Sequence, residues 1–305
     1  MFCFLMAIVL VAFPLSVFAW GPIAHIDYAS EALRNLAILA PAVKEILSRF
    51  PEHFLYGALA ADITVGKSYV DYIYNCHSWK VGFEILKAAK KPAQKAAAYG
   101  YLSHLAADII SHNFFVPYHT LKSFRTRTLG HVYWEMRFDA KRPRRVWNLA
   151  KEVGKGDFSE DDELFQKMIK RTIFSFKTNK RIFNSILTLH RLKSLKRVVG
   201  HLSQRSQHLL SDADAKEFRH LAVQSVITFL IRLDKAPCTR VDPTGKERLV
   251  YATQMRRQLR KDFRRGKISE KEAVHFLALA KRQFREGIYN RQVVLPDLKL
   301  VRGGR

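Results

Sequence analysis

His104, Asp108 and His112 stand four residues apart in HLAADIISH, and His131 and Glu135 repeat the spacing in HVYWE. A step of four residues turns a helix by about 40°, so the three polar side chains of the first set leave one face of an otherwise apolar helix. Burying a carboxylate and two imidazoles among Leu105, Ala106 and Ile109 opposes folding by several kcal/mol unless something binds them. A divalent cation satisfies all three together. One His/carboxylate pair at this spacing is more often a hydrogen-bonded core pair. Two of them on consecutive helices form the ligand pattern of a metal centre inside a helical bundle. Seven of the twelve histidines lie between His25 and His131, Asp62 ends the apolar run GALAAD, and His77 stands two residues before Trp79. A carboxylate at the end of such a run needs a partner.

The elements that must carry these groups read as all-α. Apolar residues recur at spacings of three and four, without sustained alternation of period two. Helices are predicted over Ile26–Leu39, Pro41–Phe50, Trp79–Lys90 and Pro92–Asn113, with a short apolar segment at Phe54–Ile63 and a loop containing Gly66. Pro92–Asn113 is Ala-rich and apolar on several sides, as a helix through the middle of a bundle should be. A loop around Pro117 leads to a helix from about Leu129 to Ala140, which Pro143 interrupts. Later helices are predicted over Asp161–Phe176, Asn179–His190, Leu192–Leu209, Asp214–Asp234, Tyr251–Arg264 and Ser269–Glu286, the last opened by a capping box at Ser269 and Glu272. Residues 235–247, with two prolines and a glycine, read as a linker, and the tail from Asn290 as extended.

Three regions result: residues 1–19, a metal-binding helical region over 20–150, and a basic helical region over 151–305 packed on it. The first nineteen residues carry no charge and end in Val17-Phe18-Ala19, the pattern of a signal peptide cleaved after Ala19. Export is the expectation, to a periplasmic or extracellular destination, with membrane anchorage as the alternative if the segment stays. Cys76 and Cys238 then face an oxidising compartment, either as a disulfide or as two small buried thiols. Hydrophobic residues form 48% of the 305-residue chain and aromatics 12%, which excludes a disordered polymer. The formal charge of +25 reads either as attraction for polyanions, whether an anionic membrane face or nucleic acid, or as solvated basic helical faces. His53, His190, His201, His208, His220 and His275 read as exposed or capping residues. Trp79, Trp134, Phe114 and Phe115 read as core or pocket wall.

With these residues in place the chain resembles the bacterial zinc-dependent phospholipase C family and the related fungal single-strand-specific zinc nucleases. Those are all-helical phosphodiesterases with three zinc ions. The resemblance covers roughly residues 20–140. In that superfamily a mature N-terminal Trp binds zinc through its own amine and carbonyl, with a His soon after, and here that is Trp20-Gly-Pro-Ile-Ala-His25. The resemblance then implies that Asp62, His77, His104 and Asp108 hold one zinc, that Trp20, His25 and Asp108 hold a second, and that His112, His131 and Glu135 hold the third. One motif departs from the pattern. The family commonly places Pro-x-His six residues after the Asp, whereas His112 lies four after Asp108, and His119 in FVPYH is the other candidate.

Clustered zinc suits phosphodiester hydrolysis because it polarises phosphoryl oxygens and lowers the pKa of bound water to ~7. The resemblance therefore implies hydroxide attack on phosphorus, with Asp62 both ligand and proton acceptor. The expected activity is that of a phospholipase C on glycerophospholipids, with a phospholipid or membrane surface as partner and no obligate protein partner. The alternatives are an exported zinc nuclease or phosphatase acting on nucleic acid, and a non-catalytic, metal-stabilised envelope protein.

Overall fold

A computed structural model describes residues 21–63, 76–126, 131–169 and 210–300, with backbone alone at 131 and 132. The expected signal segment, Trp20, the Gly66 loop, the side chain of His131, and the helices expected within 170–209 with their histidines lie outside the described residues. Among those described the chain is helical with no strand. The order is α1 (Pro22–Arg34), α2 (Pro41–Arg49), α3 (Pro51–Ile63), α4 (Trp79–Ala88) and α5 (Pro92–Ile110), followed by α6 (Val116–Lys122), α7 (His131–Ala140) and α8 (Arg144–Lys155). Then come α9 (Ser159–Met168), α10 (Asp212–Arg232), α11 (Lys246–Arg264) and α12 (Glu270–Glu286). No helix among the described residues is long and apolar enough to cross a membrane.

Proline opens α1, α2, α3 and α5, where its fixed φ suits the first turn and its missing N–H would have no helical partner anyway. Ser269 caps α12 as its sequence predicts: its hydroxyl accepts from Glu272 N at 3.2 Å, and the Glu272 carboxylate accepts from Ser269 N at 2.7 Å. The bundle is organised around α5, which is buried without a break from Ala96 to Ile110. Helices α3, α4 and α10 pack directly on it. The α3–α5 contact is unusually close because both sides carry glycine. A Cβ on Gly57 would sit 1.9 Å from the Ala97 carbonyl oxygen, and one on Gly100 would sit 2.0 Å from that of Phe54. Asp62 on α3 and His104 on α5 are thereby drawn into one interior.

The later chain is fastened to the first helix through charge. Asp27 accepts from Arg219 Nε at 2.7 Å and from Arg142 Nη1 at 3.0 Å, and Glu31 accepts from Arg219 Nη2 at 2.9 Å. Burial pushes the Asp27 carboxyl up, but Arg219 and Arg142 outweigh it and hold the group below its ordinary range. Phe218 of α10 packs edge-on against Phe114 and Phe115, with centroids 4.7 and 5.0 Å away.

Several elements differ from their sequence-based expectations. Helix α1 begins at Pro22 rather than Ile26. After Ile110 the chain makes a π-turn, Ser111–Phe115, and runs into α6, where a loop around Pro117 is expected. Pro117 falls in the first turn of α6, a position that needs no N–H. The break expected at Pro143 is present, α7 ending at Ala140, and Pro143 is the N-cap of a further helix, α8. Residues 235–247 are not a free linker: after the 3-10 turns Leu233–Lys235 and Pro237–Arg240, backbone carbonyls of Val241, Asp242 and Pro243 accept bonds from Trp79, Asn113 and His112. His53, expected at the surface, is only 30% exposed and pairs through Nδ1 with Asp161 Oδ2 at 2.7 Å. Cys76 and Cys238 are both buried free thiols, and burial pushes that of Cys238 up to about 12.

Candidate metal centre

Five of the sequence-predicted ligands meet in the interior between α1, α3, α5 and the segment before α4. His25, Asp62 and His104 form one group of three ligand atoms mutually within 4.8 Å, and His77, His104 and Asp108 form a second. The groups share His104. Asp108 faces three imidazoles, with Oδ2 3.1 Å from His77 Nε2 and 3.2 Å from His104 Nε2, and Oδ1 3.4 Å from His25 Nε2. Asp62 Oδ1 lies 3.5 Å from His77 Nε2 and 3.8 Å from His104 Nε2. His25 stacks on His104 with centroids 3.7 Å apart. All five side chains are essentially inaccessible to water.

Electrostatics shift two of these groups, His25 and Asp108, toward the protonation states of ligands. Burial lowers the His25 pKa, with a further push from His104, so its ring is neutral. Burial raises Asp108, but His104, His25 and His77 outweigh it and hold the carboxyl well below its ordinary value. Among the described residues, neither carboxylate oxygen of Asp108 and neither ring nitrogen of His25 makes a well-formed hydrogen bond. Buried polar atoms are normally satisfied. Imidazoles and carboxylates converging at such distances are the donor set that zinc takes, so the residues present fit the ion.

The surroundings of the ring nitrogens support that fit. His104 Nδ1 donates to the Ala58 carbonyl at 2.9 Å, which turns Nε2 toward Asp62, Asp108 and His77. His77 Nδ1 lies 3.3 Å from Cys76 Sγ, and His112 Nδ1 donates to the Pro243 carbonyl. Metal-bound histidines are held in this way, with one nitrogen on a protein partner and the other on the ion. A Cβ on Gly245 would come 2.3 Å from the His112 carbonyl oxygen, so only glycine, here at φ +55°, lets α11 begin against the π-turn.

The remaining predicted ligands are placed less directly. His112 sits in the π-turn with its ring 6.4 Å from that of His77, beside the five-residue group. Single π-turns inside helical runs are frequent at functional sites. Glu135 is buried on α7. His119 is buried among aromatic rings, 4.6 Å from both Phe115 and Trp134, and its Nδ1 donates to the Phe115 carbonyl at 2.8 Å. Burial lowers its pKa to about 3. Trp20 and the His131 side chain lie outside the described residues.

A family model for zinc-dependent phospholipase C matches residues 24–185, more than half of the chain. The chain belongs to the zinc-dependent phospholipase C family. No curated protein and no solved structure matches it. Membership accounts for the all-helical fold and makes zinc the ion that the His/Asp groups suggest. The matched span takes in His25 through Glu135 and runs on past α9.

Sequence reasoning passed over Asp139, which is 1% exposed and accepts from the backbone of α1. It lies four residues after Glu135 and eight after His131, so it carries the same periodicity as the ligands. Cys76 and the Ala58 and Pro243 carbonyls, which orient three of the histidines, gave no comparable signal.

Proposed function

We propose that this protein is an exported phospholipase C that hydrolyses glycerophospholipids to diacylglycerol and a phosphorylated head group. The observation that carries the reading is the pair of buried ligand groups joined through His104, with Asp108 in contact with three imidazoles. Such shared ligation suits a cluster of zinc ions. Asp62, His77, His104 and Asp108 would hold one ion, Trp20, His25 and Asp108 a second, and His112, His131 and Glu135 a third. Bound zinc would polarise the phosphoryl oxygens and supply hydroxide at neutral pH.

The chain's own contribution is placement. The Ala58 carbonyl, Cys76 and the Pro243 carbonyl aim His104, His77 and His112, so less ordering is left to be done on binding. Asp108, held ionised by its three histidines, supplies the negative charge that ions in close proximity require. Asp62 is ligand and proton acceptor. Cleavage after Ala19 frees the Trp20 amine, so removal of the signal segment and completion of the centre are one event.

The basic surface supports a lipid interface. Arg257, Lys261, Arg264, Arg265 and Lys267 are all exposed along the second half of α11 and the turn after it. A row of cations at this density draws a protein to an anionic bilayer. The test is purified protein beginning at Trp20, loaded with zinc and offered phosphatidylcholine vesicles and single-stranded DNA in parallel. Release of diacylglycerol with intact DNA is expected. Nucleotide release with intact lipid would replace the reading with a nuclease.

A further inference from the structure

Helix α1 starts without a cap of its own. Gly21 is the N-cap residue and no local side chain accepts from the first turn, yet Pro22, Ile23 and Ala24 are all buried, where unsatisfied backbone N–H groups are costly. The Ala24 N–H reaches the Gly21 carbonyl at 3.0 Å, and a further acceptor, the one that serves Ile23, comes from far along the chain. Asp139 takes the Ala24 N–H on Oδ1 at 3.0 Å and the Ile23 N–H on Oδ2 at 3.3 Å. The same carboxylate fills the space beside Gly21, where a Cβ would lie 1.9 Å from Oδ2 and 2.4 Å from Cγ. His25 is the next residue after Ala24, with its ring stacked on His104 and its Nε2 facing Asp108.

We propose that Asp139 is the positioning residue of the metal centre: its carboxylate clamps the first turn of α1 to α7, sets His25 over His104 and Asp108, and requires glycine at position 21. The inference rests on the metal-centre reading above. Its logic is geometric. His25 belongs to the turn whose two N–H groups Asp139 holds, so a tilt of that turn moves the imidazole relative to ligands on α5. Glu135 stands one helical turn before Asp139, so one face of α7 supplies both a proposed ligand and the clamp. Arg142 bridges the same two parts of the chain through Asp27, and although its charge also acts on Asp139, replacing it leaves the Asp139 carboxyl and Gly21 in place. It provides a control for general loosening.

The experiment uses the full mature chain beginning at Trp20 and measures zinc content and zinc retention against a competing chelator, together with the melting temperature. Asp139→Ala is expected to lose zinc affinity ~10–100-fold, the usual effect of removing a group that orients a ligand, and Asp139→Asn, which keeps one acceptor oxygen, to fall between. Gly21→Ala should lose zinc in the wild-type background and add little on top of Asp139→Ala, because the carboxylate it collides with is gone. Arg142→Met should lower the melting temperature while retaining zinc. The proposal is overturned if Asp139→Ala keeps wild-type zinc affinity, if its loss merely tracks the melting temperature as in Arg142→Met, or if the Gly21 and Asp139 effects simply add. If the wild-type chain itself holds no zinc, the metal-centre reading falls, and this proposal with it.

Discussion

Gly57→Ala places one methyl group in the close contact between α3 and α5, and its effect should appear at the metal centre rather than only in stability. The added Cβ would stand 1.9 Å from the Ala97 carbonyl oxygen, 2.6 Å from its carbon and 2.8 Å from Cα, all backbone atoms of α5 that cannot swing aside. Ordinary contact begins near 3.4 Å, so α3 and α5 must part locally by about 1.5 Å. The bond between the Ala58 carbonyl and His104 Nδ1, now 2.9 Å, spans that same gap from the neighbouring residue. An opening of even ~1 Å takes it beyond hydrogen-bonding range. Overpacking of this kind costs ~1–3 kcal/mol, offset by the ~0.5–1 kcal/mol that alanine gains over glycine inside a helix. The net loss in stability should be about 1–2 kcal/mol. Loss of the group that orients His104 should weaken zinc binding ~10–100-fold. Urea denaturation reads the first quantity and competition with a chromophoric chelator the second. Gly100→Ala, whose Cβ would meet the Phe54 carbonyl oxygen at 2.0 Å from the opposite side, should do the same. A Gly57→Ala protein with a wild-type urea midpoint and wild-type zinc retention would refute the argument.

Further predictions concern charge. Asp108→Asn removes the anion that three imidazoles share, so zinc should no longer raise the melting temperature. A ~1,000-fold weaker affinity corresponds to about 4 kcal/mol of lost zinc-dependent stabilisation, and an Asn variant still stabilised by zinc to the wild-type extent would contradict its role. Asp214 accepts from Lys281 Nζ at 2.8 Å and Lys122 Nζ at 3.1 Å; burial raises its carboxyl, but the two lysines outweigh it and hold it below its ordinary value. Because the folded value lies below the unfolded one of ~3.9, the contribution is complete above about pH 4 and is lost as the pH falls further. Wild type and Asp214→Asn should therefore differ in urea midpoint at pH 7 and converge toward pH 3, and parallel curves would count against the account. Reversing Arg257, Lys261 and Arg264 to glutamate should abolish salt-sensitive binding to vesicles rich in anionic lipid while leaving hydrolysis of a short-chain soluble substrate unchanged. Unaltered vesicle binding would move the lipid-facing surface elsewhere.

The centre was legible where helical arithmetic applies. His104 and Asp108 share a face because they are four residues apart, and α5 is central because its sequence is apolar on several sides. What brings α3 against α5 is less visible: two isolated glycines gain meaning only when paired across helices. The orienting groups are mostly backbone carbonyls, of Ala58 and Pro243, and a sequence lists no carbonyls. The π-turn carrying His112 could not be read, since periodicity registers five residues in a wider turn as noise. Proline misled in one place. Pro143 does mark the break after Ala140, whereas Pro117 suggested a loop yet falls in the first turn of a helix, because the ring is tolerated wherever an N–H is not required. Asp139 was legible in spacing but not in meaning: its partners are N–H groups more than a hundred residues upstream.

The central claim is tested most directly by counting zinc. Protein that begins at Trp20, dialysed free of loosely bound metal and measured by mass spectrometry of its elements, should carry about three zinc ions per chain, the number that the proposed ligand set would hold. Fewer than two per chain would contradict the account.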